Sequence, residues 1–239
     1  MDARFDLIVF DWDGTVMDST PHIAQSLRLA CIDLAYPPPS MEEAAWIIGM
    51  GLEPSLRRVL PDLPTHRYPE LTAAYRRHFL AGDTALPLFP GMAELIPSLA
   101  AQGNLLAVAT GKSRLGLERA FDQSGLRPYF DASCCADESF AKPNPAMLFE
   151  LMERTGVRRE RTLMIGDTSH DLQLASNAGV SALGVSYGAH SHTSLQSFGA
   201  EAIVGTSVEL IAWLAAAGQL PEGVAGFVAH PGTGSVVAD

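Results

Sequence analysis

Unbroken apolar runs of strand length recur along the chain. "FDLIVF" (Phe5–Phe10), "NLLAVAT" (Asn104–Thr110), "TLMIGD" (Thr162–Asp167) and "SALGVSY" (Ser181–Tyr187) lack the polar alternation of a half-exposed strand. They predict strands covered on both faces. "FDASCCAD" (Phe130–Asp137) and "EAIVG" (Glu201–Gly205) are shorter runs of the same kind. Helical stretches with recognisable start signals lie between them. Ser113 caps "RLGLERAFDQSG", Asn144 with Pro145 at the first helical position opens "AMLFELMERTG", and Thr168 or Ser169 caps "HDLQLASNAG", which Gly179 ends. Strand alternating with helix predicts an α/β fold built on a doubly wound, mainly parallel, Rossmann-like sheet. Ligands of such sheets bind beyond the carboxyl ends of the strands.

The rhythm breaks from about Asp18 to Pro87. "TPHIAQSLRLACI", "SMEEAAWII", "LEPSLRRVL" and "THRYPELTAAYRRHFL" all read as helices, separated by prolines at 37–39, 61, 64, 87 and 90. No strand-like run interrupts them. The expected organisation is therefore a core of residues 1–17 and 87–220, an all-helical insertion over 18–86, and a C-terminal tail over 221–239, rich in Gly, Ala and Val. No internal repeat is present.

Charge changes this picture more than composition does. The chain has 239 residues and a formal net charge of −11. That acidity disfavours nucleic acid and anionic membrane as partners, because binding to either is driven by basic surface. It also means that an anionic substrate needs local positive charge or a metal. Three cysteines cannot build a disulfide framework. No apolar run reaches membrane-span length, and "MDARFD" lacks the basic start of a signal peptide. A cytoplasmic protein is expected. Only two lysines, Lys112 and Lys142, stand against fourteen arginines.

The predicted strand ends gather a specific set of side chains. Asp11 and Asp13, two apart on an extended segment, point into one crevice. Two like charges ~4 Å apart repel by about 4 kcal/mol at an effective dielectric near 20, so a positive group is expected beside them. Thr110-Gly111 ends a second strand with a hydroxyl and amide groups just before a helix N-terminus, a pattern suited to an anion. Lys142 precedes Pro143, which favours an extended conformation. Asp167 lies at a strand end and Asp171 in the first turn of the next helix. Oxygen-only ligands suit Mg²⁺, which held by Asp11 and Asp167 would relieve the repulsion and attract a phosphate dianion.

"DWDGTVMDS", "ATGKS", "AKPNP" and "GDTSHD" stand in the order and spacing of the four motifs of the haloacid dehalogenase superfamily. The chain resembles its phosphoglycolate-phosphatase-like branch, whose helical cap follows the first motif. The resemblance runs from Phe5 to about Leu214. It implies a Mg²⁺-dependent phosphomonoester hydrolase working through an aspartyl phosphate on a small phosphorylated metabolite, 2-phosphoglycolate first and sugar phosphates next. Asp11 would be the nucleophile and Asp13 the acid and base. Thr110 would grip the phosphoryl oxygens, with Gly111 and the backbone amide of Trp12 beside them, and Lys142 would neutralise nucleophile and phosphate together. Asp11, the backbone carbonyl of Asp13 and Asp167 would hold Mg²⁺, with Asp171 supporting from behind.

Other readings are narrowed by particular residues. "GKS" at 111–113 is no P-loop, since Leu106 stands where its first glycine belongs. Asp13 argues against a dehalogenase, and an insertion without lysine argues against a Schiff-base hydrolase. A sugar phosphomutase shares every motif and stays open. A phospho-aspartate receiver would take its acid from a middle strand and has no cap, and the intact acid pair argues against a non-catalytic binding protein. Lys112 is expected as a solvated residue at a helix start, ahead of a substrate contact, His190–His192 as a surface loop near the site entrance, and Trp12, Trp46 and Trp213 as packing residues. Cys134 and Cys135 are expected to fill space in a short strand. Arg28, Arg57 and Arg58 are the candidates for reading a substrate carboxylate, beside the glycine-bearing segment "GMGLEPSLRR".

Overall fold

The computed structural model describes residues 3–221. Of the expected tail, residues 222–239 lie outside the described residues. In chain order the elements are β1 (Leu7–Phe10), α1 (Thr20–Asp33), α2 (Met41–Trp46), α3 (Leu52–Val59), α4 (Tyr68–Gly82), α5 (Met92–Ala101), β2 (Leu105–Thr110), α6 (Arg114–Ser124), β3 (Ala132–Cys135), α7 (Ala146–Thr155), β4 (Thr162–Gly166), α8 (Ser169–Ala178), β5 (Ser181–Val185), α9 (His192–Leu195), β6 (Ala202–Val204) and α10 (Ser207–Ala216).

All six described strands join one parallel sheet in the order β3-β2-β1-β4-β5-β6. Each apolar run splits between the two faces with the two-residue period of a strand. Ile8 and Phe10 of β1, Leu106 and Val108 of β2, and Leu163 and Ile165 of β4 pack under Met92, Leu95, Phe121 and Leu214. The intervening Leu7, Val9, Ala107, Ala109 and Met164 pack under Met147, Leu148, Leu151, Leu172 and Ala175. Helices thus cover both faces, and an exposed polar position in these strands would have no water to meet. β1 lies centrally, with Phe10 opposite Val108 on one side and Ile165 on the other. The chain winds outward from it in both directions, which opens a crevice at the carboxyl ends of β1, β2 and β4.

Helix α1 through helix α4 lie between β1 and α5 and share a smaller core of their own, including Leu27, Cys31, Leu34, Ile47, Leu56, Leu71 and Ala74. The chain leaves the sheet and returns to it through adjacent segments. Asp18 N–H donates to the Pro87 carbonyl and Phe89 N–H to the Val16 carbonyl.

The caps follow the sequence with one shift. Ser113 and Thr168 accept from the backbone N–H groups three residues on, and α8 carries a full capping box with Asp171. Helix α7 starts one residue later than expected: Pro145 takes the N-cap position, and Asn144 Oδ1 instead accepts from Ala146 N–H. The Lys142–Pro143 peptide bond is cis.

Candidate active site

Chain direction and register bring the sequence-predicted acids together. Asp11 N–H donates to the Ile165 carbonyl, which extends the β1–β4 ladder by one bond and aims Asp11 out of the sheet end beside Asp167. Lys142 reaches in from the loop before α7. Its ammonium lies 2.9 Å from Asp11 Oδ1 and 2.6 Å from Asp171 Oδ1, and all three side chains are buried. Asp171 Oδ2 in turn accepts from Thr168 N–H and from its hydroxyl. Asp167 accepts from the Thr15 hydroxyl at one oxygen and from Ala189 N–H at the other.

The electrostatics are unbalanced in a telling way. Burial pushes Asp11 up to about 7, with Asp171 and Asp13 pushing the same way and Lys142 pulling back. Burial also drives Asp167 well above the usual carboxylate range, helped by Asp11 and Asp171. The same burial acts to lower Lys142, but the Asp11 and Asp171 carboxylates outweigh it and raise the ammonium instead. One cation therefore faces three buried carboxylates. Asp11, Asp167 and Asp171 each offer an oxygen within 4.8 Å of the other two, and neither Asp11 oxygen accepts a hydrogen bond of good geometry. This all-oxygen set, with an orphaned buried carboxylate, fits a hard divalent cation.

Asp13 stands at the cavity wall under different partners. Its Oδ1 accepts from the Ser19 hydroxyl at 2.5 Å and lies 2.9 Å from the Lys112 ammonium. Lys112 is not the solvated residue expected: its side chain is 9% exposed, and its ammonium sits 5.0 Å from the centre of the Phe79 ring on α4. A buried acid without a counter-ion is costly, and the lysine turns inward to meet it. Thr110 is buried at the end of β2 and accepts from Lys112 N–H. The N–H groups of Trp12 and Gly111 find no protein acceptor among the described residues. The Trp12 ring is core, edge-on to Phe121.

The helical side closes over this floor. A Cβ on Gly111 would come within 2.8–3.0 Å of the Gly49 backbone, and one on Gly49 would stand 3.9 Å from Asp11 Oδ2. Gly49 also holds a φ of +91°, so the segment between α2 and α3 needs glycine both for its turn and for its approach. Trp46 fastens it. Its ring stacks on His190 at 4.1 Å and 8°, and its carbonyl oxygen lies 3.0 Å from His190 Nε2 and 3.3 Å from His170 Nε2. His190 Nδ1 accepts from Ser169 N–H, which leaves Nε2 to donate. His190 is therefore buried, contrary to the surface loop expected, because a stacked ring with both nitrogens engaged has no need of water. His192 opens α9 on the exposed side. Trp46 likewise does more than pack, since it bridges helical segment and sheet. Trp213 stacks on Phe5 as a packing residue, and Cys134 and Cys135 are buried in β3.

The floor opens into a cavity of about 760 Å³ that Asp11, Asp13, Gly111 and Lys112 line at its base. The three arginines expected to read a carboxylate are not among its lining residues. Arg28 binds the Pro39 carbonyl, Arg57 pairs with Glu53 and covers the Tyr68 ring, and Arg58 is exposed away from the cavity. Arg76 and Arg119 line it instead. The signal for Arg76 was present in the sequence as a second helical stripe on α4, at 72, 75, 76, 79 and 80, beside the one that enters the helical core.

The model of the family described as haloacid dehalogenase-like hydrolase matches residues 8–185. A protein of Dickeya dadantii named "Probable phosphatase IndB" is 34% identical over 86% of this chain and 91% of its own. A phosphoglycolate phosphatase of Aliivibrio fischeri is 32% identical over 76% of this chain and 84% of its own. The crystal structure of a hydrolase from Pseudomonas syringae superposes with a TM-score of 0.80 at 20% identity, over 87% of this chain and 97% of that one, a likeness of fold.

Proposed function

The chain belongs to the haloacid dehalogenase-like hydrolases and is a phosphatase of that family, and from that premise we propose that it hydrolyses phosphomonoesters through a phosphoryl group carried on Asp11. The observation that carries the reading is the buried Asp11 carboxylate at the cavity base, unbonded at Oδ2 and held 2.9 Å from Lys142 at Oδ1. An Asp11 oxygen forms a bond to phosphorus as the ester P–O bond breaks, and the leaving alkoxide takes a proton from Asp13. Asp13 then accepts a proton from water as that water attacks the phosphorus, which releases phosphate and returns Asp11. Lys112 and Ser19 keep Asp13 in place for both transfers. The Trp12 and Gly111 N–H groups and the Thr110 hydroxyl hold the phosphoryl oxygens, and Lys142 offsets their charge.

Asp11 and Asp167, with the Asp13 carbonyl, would hold Mg²⁺, which supplies charge neutralisation for the transferring group. Asp171 anchors Lys142 and the start of α8. The substrate is a small phosphorylated metabolite, and the name of the Aliivibrio relative makes 2-phosphoglycolate the first candidate. A substrate carboxylate would meet Arg76. A sugar phosphatase or phosphomutase is the second reading, since the same four motifs serve either outcome. Three free, buried cysteines suit the reducing cytoplasm, and among the described residues no helix is long and apolar enough to cross a membrane.

The test is phosphate release from 2-phosphoglycolate, sugar phosphates, nucleotides and pyrophosphate, with Mg²⁺ and with EDTA. Release that needs the metal and is lost in Asp11→Asn supports the proposal. Release that survives the substitution removes Asp11 from the role of nucleophile.

A further inference from the structure

The cavity is much larger than a two-carbon acid requires. At about 760 Å³ it lies in the range of sites that hold drug-sized ligands. Its wall beyond the acids is one face of α4, where Thr72, Tyr75, Arg76, Phe79 and Leu80 follow the spacing of a single helical stripe. Ile23 of α1, half-buried, continues it, beside Leu27 of the helical core. The neighbouring stripe of α4, Tyr68, Leu71 and Ala74, is already buried in the helical core. On the cavity stripe Tyr75 and Phe79 are half-buried, the first packed against the helical core and the second under the Lys112 ammonium, and Leu80 is exposed, so the protein covers this stripe only in part. The uncovered part runs outward to Leu80 on α4 and Leu115 on α6, which are 46% and 73% exposed although both line the cavity.

Apolar surface left facing water within a cavity gains by being covered, and the group placed to cover it is whatever is attached to the phosphate. We infer that this site also hydrolyses phosphomonoesters with an apolar leaving group, aliphatic or aromatic, and does so more efficiently as that group covers more of the α4 face. The inference rests on the phosphatase reading and extends it to a substrate class. The leaving group lies along Tyr75, Phe79 and Leu80 while its phosphate stays at Asp11. Covering the wall also keeps water from the acids during the transfer, since the same cavity holds both.

The experiment is a series of n-alkyl phosphates, ethyl, butyl and hexyl, assayed with Mg²⁺ beside 2-phosphoglycolate. Transfer of each methylene from water to the wall predicts a rise in kcat/KM of about two- to fourfold per methylene. Leu80→Asn, at a half-exposed position the fold tolerates, flattens that rise, whereas Ile32→Asn on the outer face of α1, away from the cavity, keeps it. A flat or falling series with turnover of 2-phosphoglycolate overturns the inference and leaves the phosphatase reading standing. A rise that Leu80→Asn does not alter overturns the assignment of the wall. No release from any ester, 2-phosphoglycolate included, overturns the phosphatase reading itself.

Discussion

The sheet end and the helical segment that faces it are built on opposite principles. At the sheet end Asp11, Lys142, Asp167 and Asp171 are buried, and each of the last three is held by at least two partners. The strands that Asp11 and Asp167 directly follow, β1 and β4, are paired on both sides. The helical side presents Ile23, Leu27, Tyr75, Phe79 and a glycine-bearing turn, with Arg76 as an unpaired cation among the described residues. One surface holds charges through paired hydrogen bonds and ion pairs, and the other offers apolar area and a backbone that can approach closely. On the proposed function, bond-making falls to the sheet and substrate choice to the helices. Changes at the sheet end should abolish or slow turnover of every ester alike, whereas changes on the helices should alter the ranking among esters.

Asp11→Asn should break the comparison most severely. Turnover of all esters falls to background, measured as phosphate release. The same substitution should stabilise the metal-free protein. Burial lifts Asp11 from 3.8 to about 7, so the folded state holds a proton that the unfolded chain has lost. Stability from this group is complete below pH ~4 and falls as the pH rises towards 7. With EDTA present, the wild-type Tm should therefore decline between pH 5 and pH 8. Asp11→Asn should lose this part of the decline and melt a few degrees higher at pH 8. A variant that melts lower at pH 8 would remove the claim that burial of Asp11 costs the metal-free protein stability.

Asp13→Asn is expected to slow all esters by ~10²–10⁴, the range of general acid–base catalysis, with no change in their ranking. Gly111→Ala should act at the seam between the two surfaces. Its methyl would press on the Gly49 backbone at 2.8–3.0 Å and lift the turn away from Asp11. A fall in kcat/KM of roughly tenfold, carried more by KM than by kcat, is expected, with Tm changed little. The smallest effect is reserved for Arg76→Gln. A carboxylate contact of ~1.5–3 kcal/mol predicts at least a tenfold preference for 2-phosphoglycolate over ethyl phosphate in the wild type. The variant should narrow it without changing ethyl phosphate turnover number. Equal preference in both proteins would show that Arg76 does not meet the carboxylate.

The legibility of the two surfaces from sequence differs for the same reason. A strand buried on both faces is written as an unbroken apolar run, and a polar residue at its end interrupts that run, so Asp11, Thr110 and Asp167 stood out individually. All six runs became strands, each shorter than its run by one to four residues. The helical side carries no such interruption. Which arginine faces the cavity depends on helix rotation and on the packing of α1 against α4, and a single stripe of hydrophobic residues cannot be told from two adjacent ones by period alone. Arg28, Arg57 and Arg58 looked equivalent to Arg76 until that packing was known. Lys112 and His190 were misjudged because their partners, Asp13 and Trp46, lie 99 and 144 residues away in the chain. Long-range pairing of polar side chains leaves no local pattern.

The central claim is that the sheet end performs the chemistry by passing a phosphoryl group through Asp11. Rapid acid quench during turnover, followed by proteolysis and mass spectrometry, tests it most directly. The account predicts that the peptide containing Asp11 is heavier by one phosphoryl group, with the modification on that residue, and that the signal disappears in Asp11→Asn. Steady turnover with this peptide unmodified, or with the phosphoryl group found on His170 or on a serine, would contradict it.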